Sequence, residues 1–504
     1  MSNPYHRYPK LLYLLCMLIL PDAASVWAQV SNDKHPNIIY IYADDLGYGE
    51  LGCYGQKKIK TPHLDQIARE GIRFTQHYAG APVCAPSRAI LMTGKHAGHS
   101  YIRGNYELGG FADSEEGGQM SLPEGIKTLP QLLKQAGYTT ALCGKWGLGV
   151  TATSGDPLKQ GFDYYYSVLD QKQAHNYYPT HLWENGRWDS LNNPLITVHK
   201  SLDSVTATKK DFERYKGNDY SIDKFTERAL GFIEKNRSEP FFLYLSYTLP
   251  HVSLQIPDEY LKEYIGQFDE SPYYGQRGYA AQWYPKSAYA AMVSYLDRQA
   301  GMILKKIREL GLDKNTIIMF SSDNGSSVEG GADPFYFKAS GGFRGVKRDL
   351  YEGGIRVPFI ARWPGKIKAG AVSDHISTQY DLMATLAELT GQKLVDTDGI
   401  SFLPTLLGQH DRQKKHEWLY FEFPEKGGQV AVRMGKWKGV RTEIRKDRNA
   451  AWQIFDLSTD PYETRDIAAQ QPELVKKFAE IQQREHQHPH IREWEFLDPK
   501  FELK

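Results

Sequence analysis

Short apolar runs alternate along the chain with longer segments of helical periodicity. The runs at 37–43, 241–247, 316–320 and 357–361 are rich in β-branched and aromatic residues and lack the polar alternation of a half-exposed strand. Such runs suit strands buried on both faces of a largely parallel sheet. Helical patterns fall at 62–70, 128–135, 221–235, 288–310 and 382–389. Thr61-Pro62 and Thr128-Leu129-Pro130 put a capping residue and a proline at helix starts, where proline's missing N–H costs nothing. Strands alternating with helices predict an α/β fold: a large mixed, mostly parallel sheet sandwiched by helices. After the polar stretch 408–415 the pattern changes. Runs at 418–423, 429–434, 437–441 and 453–457 read as short antiparallel strands, and a helix follows at 472–483. The expected organisation is a main domain over 29–410 and a small C-terminal α+β domain with a charged tail over 411–504.

The amino end reads differently. Arg7 and Lys10 precede the apolar run Leu11 to Leu20, then Pro21 and a small-residue stretch ending Val26-Trp27-Ala28. That is the basic, apolar and cleavage pattern of a secretory leader, expected over 1–28. The run is too short for a bilayer, which needs about 20 residues. The expectation is therefore export without a transmembrane span, to the periplasm first, or to the cell surface or medium. Lys+Arg 61 against Asp+Glu 60 gives no basis for capturing nucleic acid or an anionic membrane. With 33 Tyr and 10 Trp the chain has rings that suit a sugar surface or a large core equally. Loss of Cys16 with the leader would leave Cys53, Cys84 and Cys143, an odd number and no disulfide scaffold.

Open α/β sheets bind ligands beyond the carboxyl ends of their strands. There the sequence places Asp44 and Asp45 after the first run, Pro250 and His251 after the second, and Asp323 and Asn324 after the third. Oxygen donors of this kind favour Ca²⁺ or Mg²⁺ over Zn²⁺. The same pairs also serve as turn formers. Cys84, ahead of a helix, reads either as an activated nucleophile or as a small buried residue.

The segment from Val83 to Lys95 separates these readings. Cys84-Ala85-Pro86-Ser87-Arg88, followed by Thr93-Gly94-Lys95, resembles the signature of the type I sulfatases. Asn37 to Gly47, Gly144-Lys145-Trp146, Leu249-Pro250-His251, Ser322 to Gly325, and Gly345-Val346-Lys347 with Tyr351 to Gly354 resemble further motifs of that family, in the same order. Phe455 to Leu457 with Asp460-Pro461 and Glu463 resembles its C-terminal domain. The resemblance implies an alkaline-phosphatase-like fold and one Ca²⁺ held by Asp44, Asp45, Asp323, Asn324 and residue 84. It also implies conversion of Cys84 to 3-oxoalanine (Cα-formylglycine) by a formylglycine-generating or anaerobic maturating enzyme. A hydroxyl of the hydrated aldehyde would attack sulfur, and the second would lose its proton as sulfate departs. Arg88 would hold nucleophile and metal in register, Ser87 would help orient the hydrate, Lys145 and Lys347 would bind sulfate oxygens, and His251 would act as general acid.

One position departs from the family pattern. Gly144-Lys145-Trp146-Gly147-Leu148-Gly149 has glycine where the family usually carries the histidine that serves the second hydroxyl. His96, His99 and His175 are the candidate substitutes. The ring-rich insertion 171–188 either meets a sugar, with His175 and Tyr177 as contacts, or packs on itself. With Arg103-Gly104-Asn105 it resembles exported bacterial enzymes acting on sulfated glycans. The expected substrates are galactose-type 4-O-sulfates of galactans or glycosaminoglycans, with ulvan as rival. A phosphodiesterase or phosphonate hydrolase of the same superfamily, a glycan-binding protein without turnover and a cysteine hydrolase are the alternatives.

Overall fold

A computed structural model describes residues 35–109, 112–394 and 396–498, together with 1 and 500. The leader expected over 1–28 lies, beyond its first residue, outside them. Eleven strands form one sheet: β1 (Asn37–Ala43), β2 (Ile72–Tyr78), β3 (Thr139–Lys145), β4 (Tyr164–Val168), β5 (His181–Glu184), β6 (Arg187–Ser190), β7 (Phe241–Ser246), β8 (Thr316–Ser322), β9 (Arg356–Arg362), β10 (Ala371–Ser373) and β11 (Ser377–Thr378). Their order is β10-β2-β9-β8-β1-β7-β3-β4-β5-β6, with β11 also on β2. The consecutive strands β8, β1, β7, β3 and β4 are parallel. Their carboxyl ends therefore share one edge.

The uninterrupted apolar runs follow from burial on both faces. Along β1, Ile39, Ile41 and Ala43 face one core, shared with the helices Ser221–Lys235 and Pro285–Glu309. Ile38, Tyr40 and Tyr42 face the other, shared with the helices Cys84–Thr93, Leu129–Gln135 and Asp381–Leu389. Strand β9 is as buried as its neighbours yet antiparallel to both β8 and β2. The insertion after Gln171 is not one loop: β5 and β6 form a hairpin that extends the sheet, with Trp183 opposite Trp188.

A separate sheet near the C-terminus is antiparallel, in the order β12 (Leu419–Phe423), β13 (Gln429–Met434), β14 (Trp437–Arg441) and β15 (Gln453–Asp456). One face packs Phe421, Ala431 and Val440 against Tyr78, Ile90 and Ile355 of the larger layer. The other is covered by Phe478 and Ile481 of the helix Pro472–Glu485. Charge reinforces the contact with the larger layer. Lys438 on β14 is fully buried and pairs with Glu352 (2.9 Å) and Glu463 (3.0 Å), while Tyr78 donates its hydroxyl to Glu352. Two acids sharing one lysine separate in acidity. Burial would raise Glu352, but Lys438 and Arg356 hold it down at about 2. Burial lifts Glu463 to about 7, against the pull of Lys438.

The segment after the last helix is tied back by His486, whose ring nitrogens meet Glu422 (2.8 Å) and Glu495 (3.0 Å). Burial alone would lower its pKa, but the two carboxylates push it up to about 9. A pKa raised on folding stabilises fully below the unfolded value, near 6.5, and the gain fades as pH rises through the folded one. We expect up to about 3 kcal/mol to be lost between roughly pH 6.5 and 9. Denaturation midpoints across that window should fall more steeply for the wild type than for His486→Gln. Identical slopes would refute the clamp.

Candidate active site

The shared sheet edge gathers the predicted residues. Asp44 and Asp45 follow β1, Lys145 closes β3, Asp323 and Asn324 follow β8, and His251 lies on the turn beyond β7. Cys84 opens the helix Cys84–Thr93, which places Arg88 one turn further in. Lys347 arrives on a loop whose amide N–H donates to Ser326 O. All nine side chains are buried.

Three carboxylates face three basic side chains. Lys145 Nζ lies 2.7 Å from Asp44, Arg88 Nη2 2.8 Å from Asp323 and 3.6 Å from Asp44, and Lys347 Nζ 2.8 Å from Asp45. Burial alone would raise Asp44, and Lys145, His251, Arg88 and Lys347 together bring it well below the carboxylate range. Asp323 goes the other way: burial and the charge on Asp44 push it up to about 7. Cys84 Sγ sits among them, 3.2 Å from Asp44 and 3.7 Å from Asp45. Burial, Asp323 and Asp44 drive its thiol far above the ordinary range. A protonated, buried thiol is a poor nucleophile. That argues against a cysteine hydrolase.

The donor set suits a hard divalent cation. Asn324 Nδ2 donates to Asp45 (2.7 Å), while Asn324 Oδ1 is buried with no hydrogen-bond partner. An orphaned amide oxygen beside three carboxylates is a ready Ca²⁺ ligand. A divalent ion would hold Asp323 ionised as well; the three acids then cancel the three bases, and the ion's own charge would leave the pocket positive, as an anionic ester requires.

In front of these groups lies a cavity of about 170 Å³, walled by Cys84, Lys347, His251, His175, Gln171 and Asn105 among others. His251 Nδ1 donates to Val252 O, which leaves Nε2 to face Lys347 Nζ at 3.1 Å. Ser87 Oγ points to Asp323 O and Gln379 rather than into the cavity. His175 is a wall residue, stacked on His251 with ring centroids 5.0 Å apart and backed by His199 and Asp113.

Three expectations need correction. Tyr177 does not line the cavity: its ring is fully buried and its hydroxyl reaches the carbonyls of Thr248 (2.6 Å) and His251 (2.7 Å). It supports the histidine turn from behind. His96 and His99 do not wall the cavity either; they bond Glu485 (3.1 Å) and Asp398 (2.9 Å). Gln171, at the start of the insertion, also walls the cavity, together with Tyr279, Glu329 and Arg348, which the sequence does not single out. No motif marked them, since their role depends on which loops meet.

The profile of the Sulfatase family matches residues 36–392. The chain belongs to the sulfatase family. It is a sulfuric ester hydrolase. A second profile, N-sulphoglucosamine sulphohydrolase C-terminal, matches residues 343–488 of this sulfatase. It is 30% identical to an N-acetylgalactosamine-6-O-sulfatase of Bacteroides thetaiotaomicron, over 89% of this chain and 93% of that one. It is 31% identical to human steryl-sulfatase, over 77% and 72%. Among solved structures it resembles Ps i-CgsB in complex with k-i-k-neocarrahexaose, with a TM-score of 0.73, 28% identity and coverage of 93% and 96%. Similar identity to a steryl-sulfatase and to a sugar sulfatase means that family membership fixes the reaction and leaves the alcohol open.

Proposed function

We propose that this sulfatase acts after export and removes sulfate from a sulfated glycan, with residue 84 converted to Cα-formylglycine by a maturating enzyme and one Ca²⁺ held by Asp44, Asp45, Asp323 and Asn324. The observation that carries the reading is the position of Cys84 Sγ, standing where the modified residue's oxygens would be, against two carboxylates and within reach of a cavity lined by cations. Converted and hydrated, residue 84 would supply the oxygen nucleophile for sulfur. The metal would supply further positive charge against the oxygens of the ester.

The chain's own groups do the rest. Arg88, fixed by Asp323 and Asp44, holds the carboxylates that surround residue 84. Lys145 and Lys347 keep two positive charges in a dry pocket, where they stabilise sulfate oxygens better than they would in water. Lys347 Nζ and the Nε2 of His251 meet on the cavity wall at 3.1 Å, and the leaving oxygen would take its proton from Nε2 of the protonated ring. Residue 147 offers no base, and His175 is the one histidine of the three candidates on the cavity wall.

A sugar substrate is supported by the names of the relatives, an N-acetylgalactosamine-6-O-sulfatase and a protein solved with k-i-k-neocarrahexaose. They put 6-O-sulfate beside 4-O-sulfate on galactose-type sugars as positions to test. The test is sulfate release in Ca²⁺ buffer from carrageenan, ulvan and glycosaminoglycan oligosaccharides, after peptide mass shows residue 84 converted. Release confined to one glycan class is expected. Silence across the panel with residue 84 converted would overturn the glycan reading.

A further inference from the structure

Gln171 follows β4 at the same sheet edge, close to Gly147, whose amide N–H donates to Leu169 O (3.0 Å). A Cβ added at Gly147 would sit 2.4 Å from Gln171 Nε2 and 2.8 Å from its Cδ. The carboxamide thus occupies the space that a side chain at 147 would take. Gln171 is only 7% exposed, and its backbone N–H is fixed by Gln119 Oε1 at 3.0 Å. Its Nε2 is buried and has no hydrogen-bond partner among the described residues. It belongs to the wall that also presents Cys84 and Lys347. A buried amide donor left unpaired costs about 1–3 kcal/mol, so one on the wall of this cavity calls for a partner that binds there.

We propose that Gln171 Nε2 donates to an oxygen of the bound sulfuryl group, and that Gly147 and Gln171 form an exchange pair in which the glycine exists to house the amide. The inference rests on the reading of this cavity as a sulfate-ester pocket. A tetrahedral sulfuryl group offers only acceptors to its surroundings, which matches a donor that has nothing else to bind. The amide does not titrate, so it replaces the ring expected at 147 as a holder of oxygen and not as a base.

The test measures binding of inorganic sulfate to the calcium-replete full chain by calorimetry. Gln171→Ala and the similarly sized Gln171→Met should each weaken sulfate by about tenfold or more, as loss of a hydrogen bond to a charged group does. Gly147→His alone should also lose affinity, because the ring collides with the amide and the backbone at 147 has φ of 73°. In the Gly147→His background, Gln171→Ala should raise sulfate affinity, reversing its sign. Sulfate binding by Gln171→Met within twofold of the wild type would overturn the inference and leave the sulfatase reading intact. Equal harm from Gln171→Ala in both backgrounds would overturn the exchange pair. Wild-type protein that binds no sulfate would overturn both the inference and the pocket reading beneath it.

Discussion

Cys84→Ser is expected to reduce sulfate release by roughly 10⁴-fold or more, the scale seen when a nucleophile is removed from a preassembled site. Serine matches the volume of cysteine and can keep the contact with Asp44, so the fold and the midpoint of unfolding should change little. What it lacks is chemistry. A lone hydroxyl beside Asp44 and Asp45, with no base at 147, stays protonated for the same reason that the thiol does: burial and carboxylates penalise the anion. It also cannot form the paired hydroxyls that a hydrated aldehyde offers. The measurement is single-turnover sulfate release from whichever oligosaccharide the panel selects, with the mass of the residue 84 peptide taken on both proteins. A variant that keeps activity within tenfold of the wild type would place the nucleophile elsewhere.

The largest stability effect is expected away from the chemistry. Lys438→Met removes the cation between Glu352 and Glu463, all three of them fully buried. Breaking a buried ion pair by deleting one partner typically costs about 3–5 kcal/mol, because the other charge is left without compensation. Here two carboxylates would remain, though Arg356 still faces Glu352 at 3.2 Å. Equilibrium denaturation should show the loss as a shifted midpoint. Adding Glu463→Gln to Lys438→Met should recover part of it, since an amide removes the repulsion while its N–H₂ can donate to Glu352. A loss below about 1 kcal/mol for the single variant would show that the network is worth little.

What the sequence made legible, and what it hid, follows from burial. The strands Asn37–Ala43 and Gln429–Met434 and the helices Pro62–Glu70 and Ser221–Lys235 begin and end where their patterns do. The sheet edge could be read because a strand buried on both faces has to stop where acids begin. The direction of β9 could not, since burial carries no information about polarity of pairing. β3 was missed because it ends Cys143-Gly144-Lys145, and a terminal lysine reads as surface until Asp44 is known to face it. Lys438 is hidden in the same way: a charge near a strand's start looks exposed unless its partners are known. The error at Tyr177 has the opposite origin. A ring among polar neighbours suggests a sugar platform, but here the hydroxyl is already used by two backbone carbonyls.

The joint at Lys438 also bears on timing. Glu352 and the loop carrying Lys347 precede β14 by some ninety residues, so in a chain emerging amino end first this acid precedes its lysine. The packing of the smaller sheet on the larger layer that this pair makes is therefore complete only once β14 is present. In the finished protein Cys84 is 1% exposed, beyond the reach of another enzyme's catalytic groups. Any covalent change to this side chain by a second protein therefore requires a state of the chain more open than the folded one.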